Sequence, residues 1–205
     1  MNDNNKGLIS GIIRQIIYLI LLTLTVFLMW KVGDMFKSSA VQEYGLFESA
    51  QSVVLLLIAI SFGIQAACNR AYRPILFALC MLALAALVRE QDSYFDEALP
   101  CIGWAWCWLF PLAGLASLIR NRHSIAPVLR HFLRSNAFHM MMSALIIIIP
   151  VAQCLGHRSF LADLLGNIDI DTHLVRRILE EPIELIGYLQ IFLASIETMF
   201  ELRQK

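Results

Sequence analysis

The sequence predicts an all-α fold: a polytopic transmembrane helix bundle of about six spans, forming a single integral membrane domain over residues 1–205. Three observations predict it. Of the 205 residues, 59% are hydrophobic and only 16% charged, against roughly 45–50% and 25% in soluble domains. Mean hydropathy is +0.67. The apolar residues also gather into runs at about 12–32, 45–68, 74–95, 102–119, 137–155 and 181–200, close to the roughly 20 residues a helix needs to cross a bilayer. Six such runs use about 120 residues and leave little chain for an extramembrane domain.

The first run exceeds the h-region of a signal peptide, and Asp34 and Lys37 stand where small cleavage-site residues would be needed, so it reads as a retained span. Pro74 opens the third run, where a missing N–H costs least. Pro111 and Pro150 lie inside the fourth and fifth runs and are expected to kink them. Trp104, Trp106 and Trp108 crowd the start of the fourth, as an interfacial aromatic belt would, with core packing as the alternative. Before the sixth run, Thr172 is expected to cap a short amphipathic helix, with Leu174, Val175, Ile178 and Leu179 on the membrane. Pro182 then falls in the first turn of the last span, with Glu180 and Glu181 against its positive dipole end.

Lys and Arg counts set the orientation. With the N-terminus inside, ten basic residues are cytoplasmic: Lys6, Arg14, Arg70, Arg73, Arg120, Arg122, Arg130, Arg134, Arg203 and Lys205. Six are external: Lys31, Lys37, Arg89, Arg158, Arg176 and Arg177. The chain therefore reads as a multi-pass protein of the cell inner membrane with both termini cytoplasmic. The basic loop from Arg120 to Arg134 contributes most of the bias and suits the anionic inner leaflet. Net charge is zero, which gives no reason to expect a nucleic-acid partner. The five cysteines show no C-x-x-C spacing and read as free apolar residues, with a Cys101–Cys154 bridge as the alternative.

Acids divide more sharply than bases. Only Asp3, Glu197 and Glu201 fall inside, which leaves 13 of the 16 carboxylates at the outer face. Insertion does not require this, since Asp and Glu contribute little to orientation. The third run is the most informative. Its uninterrupted part, Ile75 to Val88, makes about 21 Å of helix, short of a hydrocarbon core about 30 Å thick. To cross, it must continue through Arg89, Glu90, Gln91 and Asp92 toward Phe95, which sinks those charges into the outer part of the bilayer. Glu181, Glu184 and Tyr188 share a face of the sixth run, and Glu48, Gln51 and Ser52 share a face of the second, at the same depth.

Arg89 can neutralise only one or two of Glu48, Glu90, Asp92, Glu181 and Glu184. Like charges held close need compensation, by retained protons, a divalent cation or exposure to water. On the cation reading, Glu48 and Glu181 are metal ligands for Mg²⁺, Mn²⁺ or Ca²⁺. His157 would add a nitrogen that admits Zn²⁺ or Fe²⁺. Glu90, Asp92 and Glu184 are the candidate catalytic carboxylates, and Arg89 and Tyr188 the candidate substrate-binding groups. The stretch Asp169-Ile-Asp171-Thr-His173 is metal-like in composition but lacks an established spacing. The competing reading of the cluster is a clamp, in which Arg89 bridges spans two, three and six.

The strings Glu43–Ser52, Val88–Phe95 and Leu179–Tyr188 resemble a loose class of uncharacterised bacterial multi-pass proteins, with acidic strings E-x4-E, R-E-x-D and E-E-x-x-E-x-x-G at span ends. That class implies a shared site without naming its job. Three functions compete. The first is a metal-assisted enzyme acting on a membrane lipid or lipid-linked substrate, with a glutamate as general base. The second is an accessory or assembly subunit that grips a membrane-protein partner or a second copy. The third is a small proton- or cation-coupled carrier, which needs acids through the whole bundle.

Overall fold

The computed structural model describes residues 3–36, 46–91, 103–157 and 172–203. They form helices α1 (Asp3–Phe36), α2 (Leu46–Cys68) and α3 (Arg73–Glu90), a 3-10 segment (Gly103–Trp108), α4 (Leu109–Arg120), α5 (Arg122–Phe132), α6 (Asn136–Ile146), a π-helical turn (Ile147–Ala152), α7 (Gln153–Gly156) and α8 (Thr172–Arg203). Among the described residues, four helical stretches are long and apolar enough to cross a membrane: Ile9–Met29, Leu46–Cys68, Asn136–Leu155 and Leu179–Arg203. Trp106–Arg120 is apolar but shorter. The run of β-branched residues from Ile146 to Ile149 is helical despite its strand propensity, as suits a segment of this apolar length, since in hydrocarbon only a helix satisfies every backbone group within one segment.

Helix α8 is the hub. It packs against α2 and α6, and also touches α1, the π turn and α7, while α3 lies between α2 and α4. Leu55, Ile58 and Phe62 of α2 meet Leu76 of α3, Ala137 and Met141 of α6, and Leu185 and Ala194 of α8 in one buried core. Small residues set the spacing. A Cβ on Gly114 of α4 would come 3.1 Å from the Cα of Ala78, so those two backbones approach as small-residue membrane interfaces do. A Cβ on Gly187 of α8 would collide with the side chain of Ile148 in the π turn.

The ends of the elements follow local chemistry. Pro74 occupies the first turn of α3, as its position predicts. Ser135 caps α6 by accepting from the Phe138 N–H at 3.1 Å, and Glu201 of α8 accepts from the Asn136 N–H at 2.9 Å. Helix α1 carries hydroxyls on its apolar surface by turning them inward: Thr23 and Thr25 donate to the carbonyls of Leu19 and Leu21.

Several expectations need correction. The last span does not begin at Pro182, because α8 runs unbroken from Thr172 with Pro182 inside it. Glu180 and Glu181 therefore lie well beyond the first turn, where the dipole's positive end has faded. Pro111 is not in the middle of its helix. It sits in the first turn of α4, just after the 3-10 segment, where no intrahelical N–H bond is lost. Pro150 does disturb its helix, as a π turn. The third helix stops at Glu90, with Gln91 as its C-cap, and the rest of its expected course, from Asp92 to Phe95, lies outside the described residues. The basic loop is itself largely a helix, α5, which buries Ile125 and Phe132 and leaves Arg130 exposed. Cys154 carries a free thiol, whereas Cys101 lies outside the described residues.

Candidate functional site

At one end of the bundle, polar side chains from α2, α3, α7 and α8 converge. Gln51, on the buried face of α2, donates to the backbone carbonyl of Glu181 at 2.9 Å. One residue on, the Ser52 hydroxyl accepts from the Gln91 amide at 2.6 Å, tying the C-cap of α3 to α2. Tyr188 is 4% exposed, and its hydroxyl donates to Glu90 Oε1 at 2.8 Å. Glu184 is buried near the same place. Its Oε1 takes the Gln153 amide at 3.3 Å and stands 3.9 Å from the Arg89 guanidinium. The same Gln153 amide lies 3.2 Å from Glu180 Oε1. Helical spacing explains the convergence: Glu181, Glu184 and Tyr188 recur every three or four residues and so line one stripe of α8.

The structure thus brings together Arg89, Glu90, Glu184 and Tyr188, and places the Glu181 backbone against Gln51. Glu48 lies half-buried in the first turn of α2, and His157 is exposed just past α7. Asp92 and the Asp169–Asp171 stretch lie outside the described residues. Among the described residues, no three His, Cys, Asp or Glu side chains stand close enough together to hold a metal ion. Arg89 is a weaker anchor than its sequence context suggests. Its side chain is 57% exposed, and its contact with Glu184 is at the outer limit of ion pairing. The links to span two come instead from Gln51 and Ser52.

No protein-family model, curated protein or solved structure matches the chain. Its chemistry must be read from its own side chains.

A second polar centre lies at the other end of α8, and sequence reasoning passed over it. Glu197 is fully buried. Arg14 of α1 grips it with both arms of the guanidinium, Nε to Oε2 at 2.9 Å and an Nη to Oε1 at 2.8 Å. Tyr18, one turn further along α1, donates its hydroxyl to Oε2 at 3.0 Å. The Arg14 guanidinium also lies 5.0 Å over the Phe200 ring, a cation–π contact. These groups tie α1 to α8, while its apolar residues Ile12, Ile16, Leu19, Leu24 and Phe27 face away from the protein. A neighbouring neutral group joins α2 to α8: Gln65 donates to Ser61 and to the Ser195 carbonyl, and Ser195 donates to Ser61. The signal for the charged centre was present, since Arg14 and Glu197 each fall inside an apolar run and intramembrane charges pair.

Proposed function

We propose that the chain is a six-span protein of the cell inner membrane, with both termini cytoplasmic, that serves as an accessory or assembly subunit and performs no catalysis. One observation supports this above the others. Candidate catalytic and binding groups are held by bonds within the protein, Tyr188 to Glu90 and Glu184 to Gln153, which also reaches Glu180, as a clamp between helices requires. Tight internal pairing of this kind suits holding helices in register more than it suits turning over a substrate. Helix α1 supplies the second support. It presents apolar side chains on nearly every side and touches its own bundle through few residues, so it is the surface on which a membrane partner would seat. On this reading α3 and the stretch 103–120 are the two further spans, crossing as a packed pair.

A cation titration, combined with native electrophoresis, tests the functional reading. Melting temperature in detergent should not respond to Mg²⁺, Mn²⁺ or Zn²⁺, and Glu90→Gln should change the unfolding free energy by no more than about 1 kcal/mol, the net worth of one hydrogen bond. Extracted from its own membranes, the chain should migrate with a partner of a different sequence. A site occupied by metal would instead raise stability by about 2.7 kcal/mol at a hundredfold excess over Kd. Such a rise, abolished by Glu184→Gln, would restore the metal-assisted enzyme, and migration as a lone monomer would remove the accessory role.

Reporter fusions test the topology. Fusions after Arg122 and Arg203 should read cytoplasmic, and those after Lys37 and Gly166 external. An external signal after Arg122 reverses the orientation and puts the Glu90–Glu184 end in the cytoplasm.

A further inference from the structure

Near the Arg14–Glu197 end of α8, a small cavity opens where α8 passes Tyr72 and the junction between α5 and α6. It is lined by Tyr72, His131, Phe132, Ser135, Thr198, Glu201 and Leu202, of which Thr198 and Phe132 are buried. The rings of Tyr72 and His131 meet edge to face at 6.5 Å and form one wall. The carboxylate of Glu201 faces the same space. Its Oε1 is engaged by the Asn136 N–H, which leaves Oε2 for a ligand. The cavity measures about 230 Å³ with its open mouth, and its enclosed part has room for about one water-sized group.

We propose that this cavity binds a primary ammonium, specifically that of a phosphoethanolamine headgroup in the adjoining lipid leaflet. Aromatic walls and one carboxylate attract a cation. The enclosed part is no larger than an ammonium, which is close to a water molecule in volume, so a trimethylammonium would stay at the open mouth. The surroundings select a zwitterion over a simple cation. From Arg122 through His139 the chain has no acidic residue, while Arg130 and Arg134 are exposed beside His131 and Ser135, and Arg203 is exposed one residue beyond Leu202. These arginines would repel a lone cation but welcome the phosphate that follows the ammonium in such a headgroup. Glu201 thus has two duties, one oxygen capping α6 and the other meeting the ligand.

The test uses the whole chain in detergent with soluble O-phosphoethanolamine, phosphocholine and ethanolamine, and in nanodiscs of phosphatidylethanolamine, phosphatidylcholine or phosphatidylglycerol. Phosphoethanolamine should raise the melting temperature at least about tenfold more effectively, by concentration, than either phosphocholine or ethanolamine. Phosphatidylethanolamine nanodiscs should stabilise the protein beyond the other two. Glu201→Gln keeps an oxygen for the Asn136 N–H, so the fold persists while the preference disappears. Tyr72→Leu should weaken binding several-fold, within the range of one cation–π contact. Equal responses to phosphoethanolamine and phosphocholine, or a preference that survives Glu201→Gln, would overturn the site. Ethanolamine binding as tightly as phosphoethanolamine would overturn the headgroup and point to a bare amine. Binding of the soluble probe without any nanodisc preference would overturn the lipid as its source.

Discussion

Replacing Arg14 by Leu should cost about 3–5 kcal/mol of stability, the usual penalty for removing one partner of a buried ion pair, and should release α1 from the bundle. Most of the apolar residues of α1 look outward, and besides this pair only a few inward residues such as Gln15 and Met29 touch the bundle. The penalty should be unequal between the partners. With Arg14 gone, a carboxylate whose side chain is 1% exposed keeps only the Tyr18 hydroxyl. With Glu197 gone, the long Arg14 side chain, already 15% exposed, can turn toward the interface and recover water. Glu197→Leu should therefore cost less than Arg14→Leu. The double variant should regain most of the loss, because apolar side chains of similar volume replace a buried pair at little cost. Thermal unfolding, with cysteine cross-linking between α1 and α8, measures both effects. Single variants as stable as the unmodified chain would mean that α1 is held by something other than this pair.

The second large effect is expected at Gly187. Alanine there should destabilise the protein, although alanine is the better helix former by about 1 kcal/mol. Its Cβ would run into Cγ1 of Ile148 and lie 2.9 Å from Cδ1, with the Ala144 carbonyl at 3.4 Å behind. Overpacking of this kind costs about 1–3 kcal/mol, so the net change for alanine is modest and that for leucine falls at or beyond the upper end. Ile148→Ala should rescue Gly187→Ala, since it removes the atoms in collision. The sign of the alanine variant decides the matter: a rise in melting temperature would show that α8 and the π turn stand further apart than these distances indicate.

These two positions also show how far the sequence could be read. The apolar runs located the long helices well, because lipid imposes a length that is plain in composition: 45–68 became Leu46–Cys68, and 137–155 became Asn136 to Gly156 with a π turn in the middle. Proline misled twice. Pro182 looked like a helix start because proline favours first turns, yet α8 continues through it and joins the helix expected from Thr172 to the last span without a break. Pro111 looked internal because the run around it is continuous, whereas the change from 3-10 to α geometry just before it is not written in hydropathy. The Glu90–Glu184 end was legible as a set of recurring faces, and Gln51, Ser52 and Tyr188 fell on the expected stripes. Their partners were not, since pairing depends on which helices become neighbours. The Arg14–Glu197 pair joins residues 183 positions apart, and counting charges by side of the membrane placed both at the inner surface instead of inside the bundle.

The π turn at Ile147–Ala152 acts as a dislocation in an otherwise regular lattice. A turn that closes with one extra residue shifts the phase of everything after it by about 100° relative to an α-helix, the angular step of a single residue. Upstream of the dislocation, Ala137, Met141 and Ala144 step along one buried edge at intervals of three or four, and Ile148 and Ala152 carry it through the turn. Just past it, still against α8, Gln153 reaches Glu180 and Glu184. The added residue works as a gear tooth that lets a single span offer one neighbour, α8, two kinds of surface in sequence, an apolar one along most of its length and a polar one near its end. Insertions or deletions in this span are therefore not interchangeable with substitutions: losing one residue between 147 and 152 would leave composition and length nearly unchanged, yet would rotate the polar end of the span out of mesh.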